Sequence, residues 1–299
     1  MTTATPATPV LPTVSQPAKK RTGNGRLRAL RRNRLAMTGG IIAAVFILVA
    51  LLAPLIAPYD PSQPDFGNVL AEPGGAHWLG TDDLGRDQLS RIVFGARASM
   101  QVGLVAVVLA FVIGVPLGLV GGYYGKFADG AISRLTDTML AFPFLVLAVG
   151  LAAILGPSLT NATIAIGISQ IPAVIRITRA ETLRLKHVDY VGAAIANGGG
   201  DGTVLFRHIL PNATSALIVQ ATVGIPAAII GEALLSFLGL GVQPPDPSLG
   251  VMLSGAQSFL APAPWLAVFP GLAIVAATLA FNLLGDGLRD VLDPRGGTR

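Results

Sequence analysis

The sequence predicts an all-α protein that crosses a membrane six times, and three observations carry that expectation. Of 299 residues, 52% are hydrophobic and only 12% charged, where a water-soluble domain has about a quarter charged. The apolar residues are gathered into runs of about the length one bilayer crossing requires. The basic residues stand mostly on one side of those runs, which is how membrane orientation is encoded. The net charge of +5 therefore does not point to nucleic acid. No cysteine is present, which excludes disulfides, thiolate metal sites and cysteine nucleophiles.

Taken in order, residues 1–34 are rich in Thr, Pro and Ala and then in Lys and Arg. They lack the apolar periodicity to build an element and are expected to form a disordered, basic cytoplasmic tail. Residues 35–57 make about 34 Å of apolar helix, enough to span. This run is too long and too heavily flanked by basic residues for a cleaved signal. Residues 58–98 form an extracytoplasmic segment. Within it Leu84, Leu89, Ile92, Val93 and Phe94 at helical spacing, with Asp87 and Arg91 four apart, predict a short amphipathic helix on the outer face.

A five-helix core over 99–287 follows, with apolar runs at 99–121, 132–155, 159–178, 212–235 and 264–285. In the second span Gly114, Gly118 and Gly122 recur every four residues, a stripe that lets another helix approach closely. Only "GPSL" separates the third and fourth spans, which places them side by side as antiparallel neighbours. Pro143, Pro172, Pro226 and Pro270 fall inside spans and are expected to bend them. Residues 288–299 are a second cytoplasmic tail.

With the amino terminus in the cytoplasm, the inner segments hold all four lysines and most arginines. Arg86, Arg91 and Arg97 fall outside, accompanied by Asp60, Asp65, Glu72, Asp82, Asp83 and Asp87. Both termini are thus expected inside.

The cytoplasmic loop 179–211 contains "YVGAAIANGGGDGTVLFRHILPN". Three consecutive glycines cannot face lipid. They end a first helix by permitting left-handed backbone. Asp201 is placed to cap a second short helix, which is expected to stop at Pro211 before the fifth span. The product is a compact bracket with Ala193 and Ala194 offering close approach to a docking partner. A phosphate-binding loop is excluded, because Asp201 stands where Gly-Lys-Ser/Thr is needed. The composition also admits a plain solvated loop or a basic membrane-surface patch, the second weakened by Glu181, Asp189 and Asp201. His187 and His208 are too isolated for a metal site.

This loop resembles the cytoplasmic signature of ABC importer permeases: Ala193, Ala194, Gly198, Leu210 and Pro211 keep its spacing. Gly192 stands where Glu is usual and His208 where Ile is usual. "LGTDDLGRDQLSRIVFGARASM", "RLTDTMLAFPFL", "EALLSFLGLGVQPPDPSLGVML" and "FNLLGDGLRDVLDPR" are similar to the dipeptide/oligopeptide/nickel branch, in its C-type second permease subunit. The resemblance implies a type I importer permease fold (MetI-like) that moves di- or oligopeptides, or else nickel, glutathione or another small solute.

It further implies a homologous B-type permease beside this chain, one or two ATPase subunits that bind ATP and Mg, and an extracytoplasmic substrate-binding protein, all in the inner membrane and its lipid. The chain itself has no Walker motif, and is expected to bind no cofactor and catalyse nothing. Gly192, Ala193, Ala194, Gly198, Asp201, His208, Leu210 and Pro211 would form the loop that docks on the ATPase. Among ionisable or polar groups near or within spans, Glu232 either lines the pore or is protonated or hydrogen-bonded across a helix interface. Asp137 is expected to pair with Arg134, and Asn282 is a further polar candidate. An ion-driven secondary transporter is disfavoured by the absence of an inverted repeat with buried carboxylates. A non-transporting membrane scaffold would not need the bracket.

Overall fold

The computed structural model describes residues 33–292, and the expectations for the two tails fall largely outside them. Among the described residues the regular structure is helical, apart from one isolated bridge between Thr81 and Asp87. The helices are α1 (Arg34–Leu51), α2 (Ala53–Ile56), α3 (Gln88–Tyr124), α4 (Lys126–Ala141), α5 (Phe144–Leu155), α6 (Leu159–Leu185) and α7 (Asp189–Ala196). The last three are α8 (Asp201–Phe237), α9 (Leu249–Ala256) and α10 (Trp265–Leu292). Polar side chains cap several starts: Asn33 on α1, Asp87 on α3, Ser158 on α6 and Ser248 on α9 each accept from backbone N–H groups otherwise left without partners.

Six straight spans are not what the described chain contains. Four helices, α1, α3, α8 and α10, are long and apolar enough to cross a membrane, and α4 with α5 adds a fifth only as a pair bent by 80°. The expected third span breaks there because Pro143 has no N–H to continue the helix and forces Phe142 into an extended conformation. The expected fourth span lies in α6, which carries Asn161, Ser169, Gln170 and Arg176. Asn161 and Ser169 donate to backbone carbonyls and Arg176 pairs with Asp137, while the helix packs against α3, α5 and α8.

The expected amphipathic helix on the outer face is also corrected. Residues 88–98 are the first turns of α3 and continue unbroken into the span, while Leu84 lies in the preceding turn. The residues before α3 fold around buried charges instead. Asp82 accepts from the N–H groups of Leu84 and Arg86, both at 2.9 Å, and from Arg86 Nε at 2.7 Å. Arg91 reaches Asp82 at 3.4 Å and the carbonyl of Pro61 at 2.7 Å, so Asp82 is its acidic partner and not Asp87. Asp87 accepts from Ser90 and lies 2.9 Å from the His77 ring. Each buried charge thus has the partners burial requires.

The glycine stripe does what its spacing predicts. A Cβ on Gly114, Gly118 or Gly122 would lie 2.8, 2.5 or 2.6 Å from Cβ of Val174, Thr178 or Thr182. Two rows with a four-residue repeat therefore interlock, bringing α3 and α6 into backbone contact. A second close approach joins the chain ends, with Gly39 of α1 against α10 and Gly287 of α10 against Ala36.

Candidate functional site: the bracket between α6 and α8

The bracket is built by backbone rules. After α7, Gly198 takes a φ of +82°, a left-handed conformation that favours glycine. Its N–H reaches Ile195 O at 2.9 Å and that of Gly199 reaches Ala194 O at 3.0 Å, which satisfies carbonyls at the helix end. Gly199 has no room for a side chain, since a Cβ would lie 2.7 Å from Ala194 O.

Asp201 is not the cap that its position suggested. Gly200 occupies the cap position, and the Asp201 carboxylate instead accepts from the Tyr123 hydroxyl at 2.9 Å, tying the bracket to the end of α3. Nor does the second helix stop at Pro211. It runs on as the span α8, through a wide turn over Val204–Ile209 in which Leu210 N–H reaches back five residues to Leu205 O. A proline nitrogen cannot donate, and its ring collides with the carbonyl four residues before it. The wider turn just ahead of Pro211 accommodates both problems. The second arm of the bracket and the fifth span are consequently one continuous helix, joined to α7 by the glycine turn.

The underside of the bracket is apolar and seated. Val191 of α7 and Val204, Leu205 and Ile209 of α8 pack with Leu119, Leu185 and Leu217 in one buried cluster that Leu210 borders. Lys186 Nζ adds a bond to Gly122 O at 3.1 Å, and Arg179 Nη2 reaches Asp129 Oδ2 at 2.7 Å. The other side is bare. Gly192 and Ala193 are exposed and nothing lies within 4 Å of a Cβ built on Gly192. Ala194 is half-buried. Ile195 and Phe206 are 49% and 63% exposed beside them. These two were missed from sequence. Phe206 is set off by phase, one and two residues from buried Leu205 and Val204, whereas Ile195, four residues after Val191, carries no such signal. His208 is half-buried, its carbonyl accepting from Asn212 at 2.7 Å, and Pro211 is exposed.

The remaining candidates do not join the bracket. Glu232 is 0% exposed, near the opposite end of α8. Its carboxylate accepts from Ser99 of α3 at 2.7 Å and from Ser236 at 2.8 Å, with Ser248 beside it. The residue is thus hydrogen-bonded across a helix interface. Asp137 pairs with Arg176 of α6 at 3.0 Å and not with Arg134, because α4 lies against α6. Asn282 is exposed on α10. Among the described residues no group of three metal-ligating side chains occurs.

Residues 114–296, which include the bracket, match the family described as "Binding-protein-dependent transport system inner membrane component". The chain belongs to this family. As an inner membrane component it is a channel-forming permease subunit, as the resemblance implied, and not a catalytic one. Residues 26–73 match the "N-terminal TM domain of oligopeptide transport permease C".

The permease is 48% identical over 268 residues to the dipeptide transport system permease protein DppC of Alkalihalophilus pseudofirmus, covering 90% of this chain and 88% of that one. It is 48% identical to DppC of Haemophilus influenzae, covering 89% and 92%. Identity to the glutathione transport system permease protein GsiD of Pectobacterium atrosepticum is 45%, covering 90% and 89%. Among solved structures, chains of the inward-facing MetNI methionine ABC transporter align with TM-scores of 0.55 and 0.57 at 19% identity. They cover 67% and 68% of this chain, and 96% and 97% of their own lengths. That likeness is one of fold.

Proposed function

We propose that this permease forms, with a homologous B-type subunit, the pathway of an ATP-driven importer of di- and oligopeptides. Both termini lie in the cytoplasm in this assignment, and a binding protein on the other side delivers the solute. ATP and Mg are bound by ATPase subunits that seat the bare face of the bracket. The observation that carries the proposal is the bracket itself: a face with no side chain at Gly192, flanked by exposed Ala193, Ile195 and Phe206, on an elbow whose second arm is α8 itself. Movement of an ATPase that grips this face tilts α8, because the underside is fixed to α3 and α6. The peptide cargo is supported by the DppC relatives, which are dipeptide transport system permease proteins.

Ala193→Arg places a long charged side chain on the docking face without touching the buried cluster. The expected outcome is loss of ATPase co-purification and of peptide uptake, with the permease still inserted. Co-purification and uptake both unchanged would falsify the docking role. The GsiD relatives favour one second cargo, glutathione. Competing glutathione against a dipeptide for uptake by the purified complex decides between them.

A further inference from the structure

At the end of α3 remote from the bracket lies an open cavity of about 410 Å³, within the range of about 300–1,000 Å³ typical of small-ligand sites. Phe94, Arg97 and Gln101 line it from one face of α3, at spacings of three and four. Leu159 contributes from the start of α6, and Gln243 and Asp246 from the loop joining α8 to α9. That loop is held in shape. Val242 N–H reaches Ser236 Oγ at 3.1 Å, Gln243 Nε2 reaches the carbonyls of Gly239 and Gly241 at 3.1 Å, and Asp246 N–H reaches Gln243 O at 3.2 Å. The Glu232 hub bonds Ser99, two residues from Arg97, and Ser236. It therefore fixes the α3 wall and the loop wall together.

The charges here differ from those nearby. Arg86 and Arg91 are both paired with Asp82, and His77 with Asp87. Among the described residues Arg97 and Asp246 have no ion-pair partner. One cation and one anion thus line a single cavity, together with apolar and amide side chains. A ligand bearing both charges satisfies both groups at once, and its side chains meet Phe94 and Leu159.

We propose that this cavity is an entry site for a zwitterionic peptide, with the terminal carboxylate on Arg97 and the terminal ammonium on Asp246. The site rests on the peptide-importer assignment and gives the permease a selectivity of its own, for free termini.

The test titrates the intact permease–ATPase complex in nanodiscs, without the binding protein, with Ala-Ala, Ala-Ala-amide and N-acetyl-Ala-Ala. The wild type should bind Ala-Ala at least about tenfold more tightly than either capped form, the effect of a charge-assisted hydrogen bond. Arg97→Gln should erase the preference over the amide and Asp246→Asn that over the acetyl form, while Arg97→Lys keeps both and controls for folding. Equal binding of all three peptides by the wild type, undetectable binding of Ala-Ala, or an unaltered preference in Arg97→Gln overturns the site. Dihexanoylphosphatidylethanolamine carries the same pair of charges, and tighter binding of this lipid than of Ala-Ala also overturns it. Uptake of Ala-Ala by the wild-type complex with its binding protein separates the two levels. No uptake sinks the peptide assignment and the site together, whereas normal uptake with no preference sinks the site alone.

Discussion

Replacing Glu232 by alanine tests whether its carboxylate is a structural hub. The side chain is fully buried and accepts from Ser99 at 2.7 Å and from Ser236 at 2.8 Å, while Ser248, also fully buried, lies beside it. Interhelical hydrogen bonds in membrane proteins contribute about 0.6 kcal/mol on average and about 1.7 at most. The Ser99 bond crosses between helices and the Ser236 bond lies within α8; at no more than that size each, the two are worth about 1–3 kcal/mol. Alanine also strands buried hydroxyls, at about 1 kcal/mol or more, and leaves a void. A total of about 2–5 kcal/mol follows for Glu232→Ala. Glutamine keeps the shape and one acceptor oxygen, and a serine hydroxyl can accept from its amide, so Glu232→Gln should cost less than about 1.5 kcal/mol. Thermal unfolding of the assembled complex should rank wild type above Gln and Gln well above Ala. Ser99→Ala should add little in the alanine background, since its partner is already gone. An unfolding temperature for Glu232→Ala equal to that of the wild type would refute the hub. So would Gln and Ala being equally damaging, which would make charge and not hydrogen-bond geometry the operative property.

Two further outcomes follow from the backbone. Gly118→Ala puts a methyl 2.5 Å from Thr178 Cβ and should destabilise the α3–α6 pair by about 1–3 kcal/mol; Gly130→Ala, where nothing lies within 4 Å, is the control and should unfold at or slightly above the wild-type temperature, since alanine favours the helix. Gly198→Ala at φ +82° should cost about 1–2 kcal/mol and loosen the bracket. The ratio of ATP hydrolysed to solute imported should then rise, and an unchanged ratio would mean that the turn does not transmit force.

Where the chain's own periodicity carried the information, the structure was legible. Gly114, Gly118 and Gly122 announced a close helix contact, and only the partner row of Val174, Thr178 and Thr182 awaited the fold. Gly198, Gly199 and Gly200 announced the turn of the bracket. Illegible features depend on distant residues or on local backbone choices that composition does not separate. Residues 139–155 carry no charged or hydroxyl side chain, so hydropathy reads 132–155 as one span, although Pro143 turns it by 80°. Asp201 looked like a cap because local rules favour that role. Its hydroxyl partner, Tyr123, is 78 positions away. Ser99 is 133 positions from Glu232, and Arg176 is 39 from Asp137. Local spacing offered Arg91 to Asp87 and Arg134 to Asp137, and in both cases tertiary packing supplied a different partner.

The wide turn at Val204–Ile209 holds one surplus residue, so the sides of the helix above and below it are out of phase by about 100°. Tightening that turn into a regular coil is a screw motion that swivels α7 about the axis of α8 without shortening any bond. Gear-like conversion of a push into a twist is thus available at this turn. Excising one amino acid there would re-aim the far side of the elbow while leaving each end chemically unaltered.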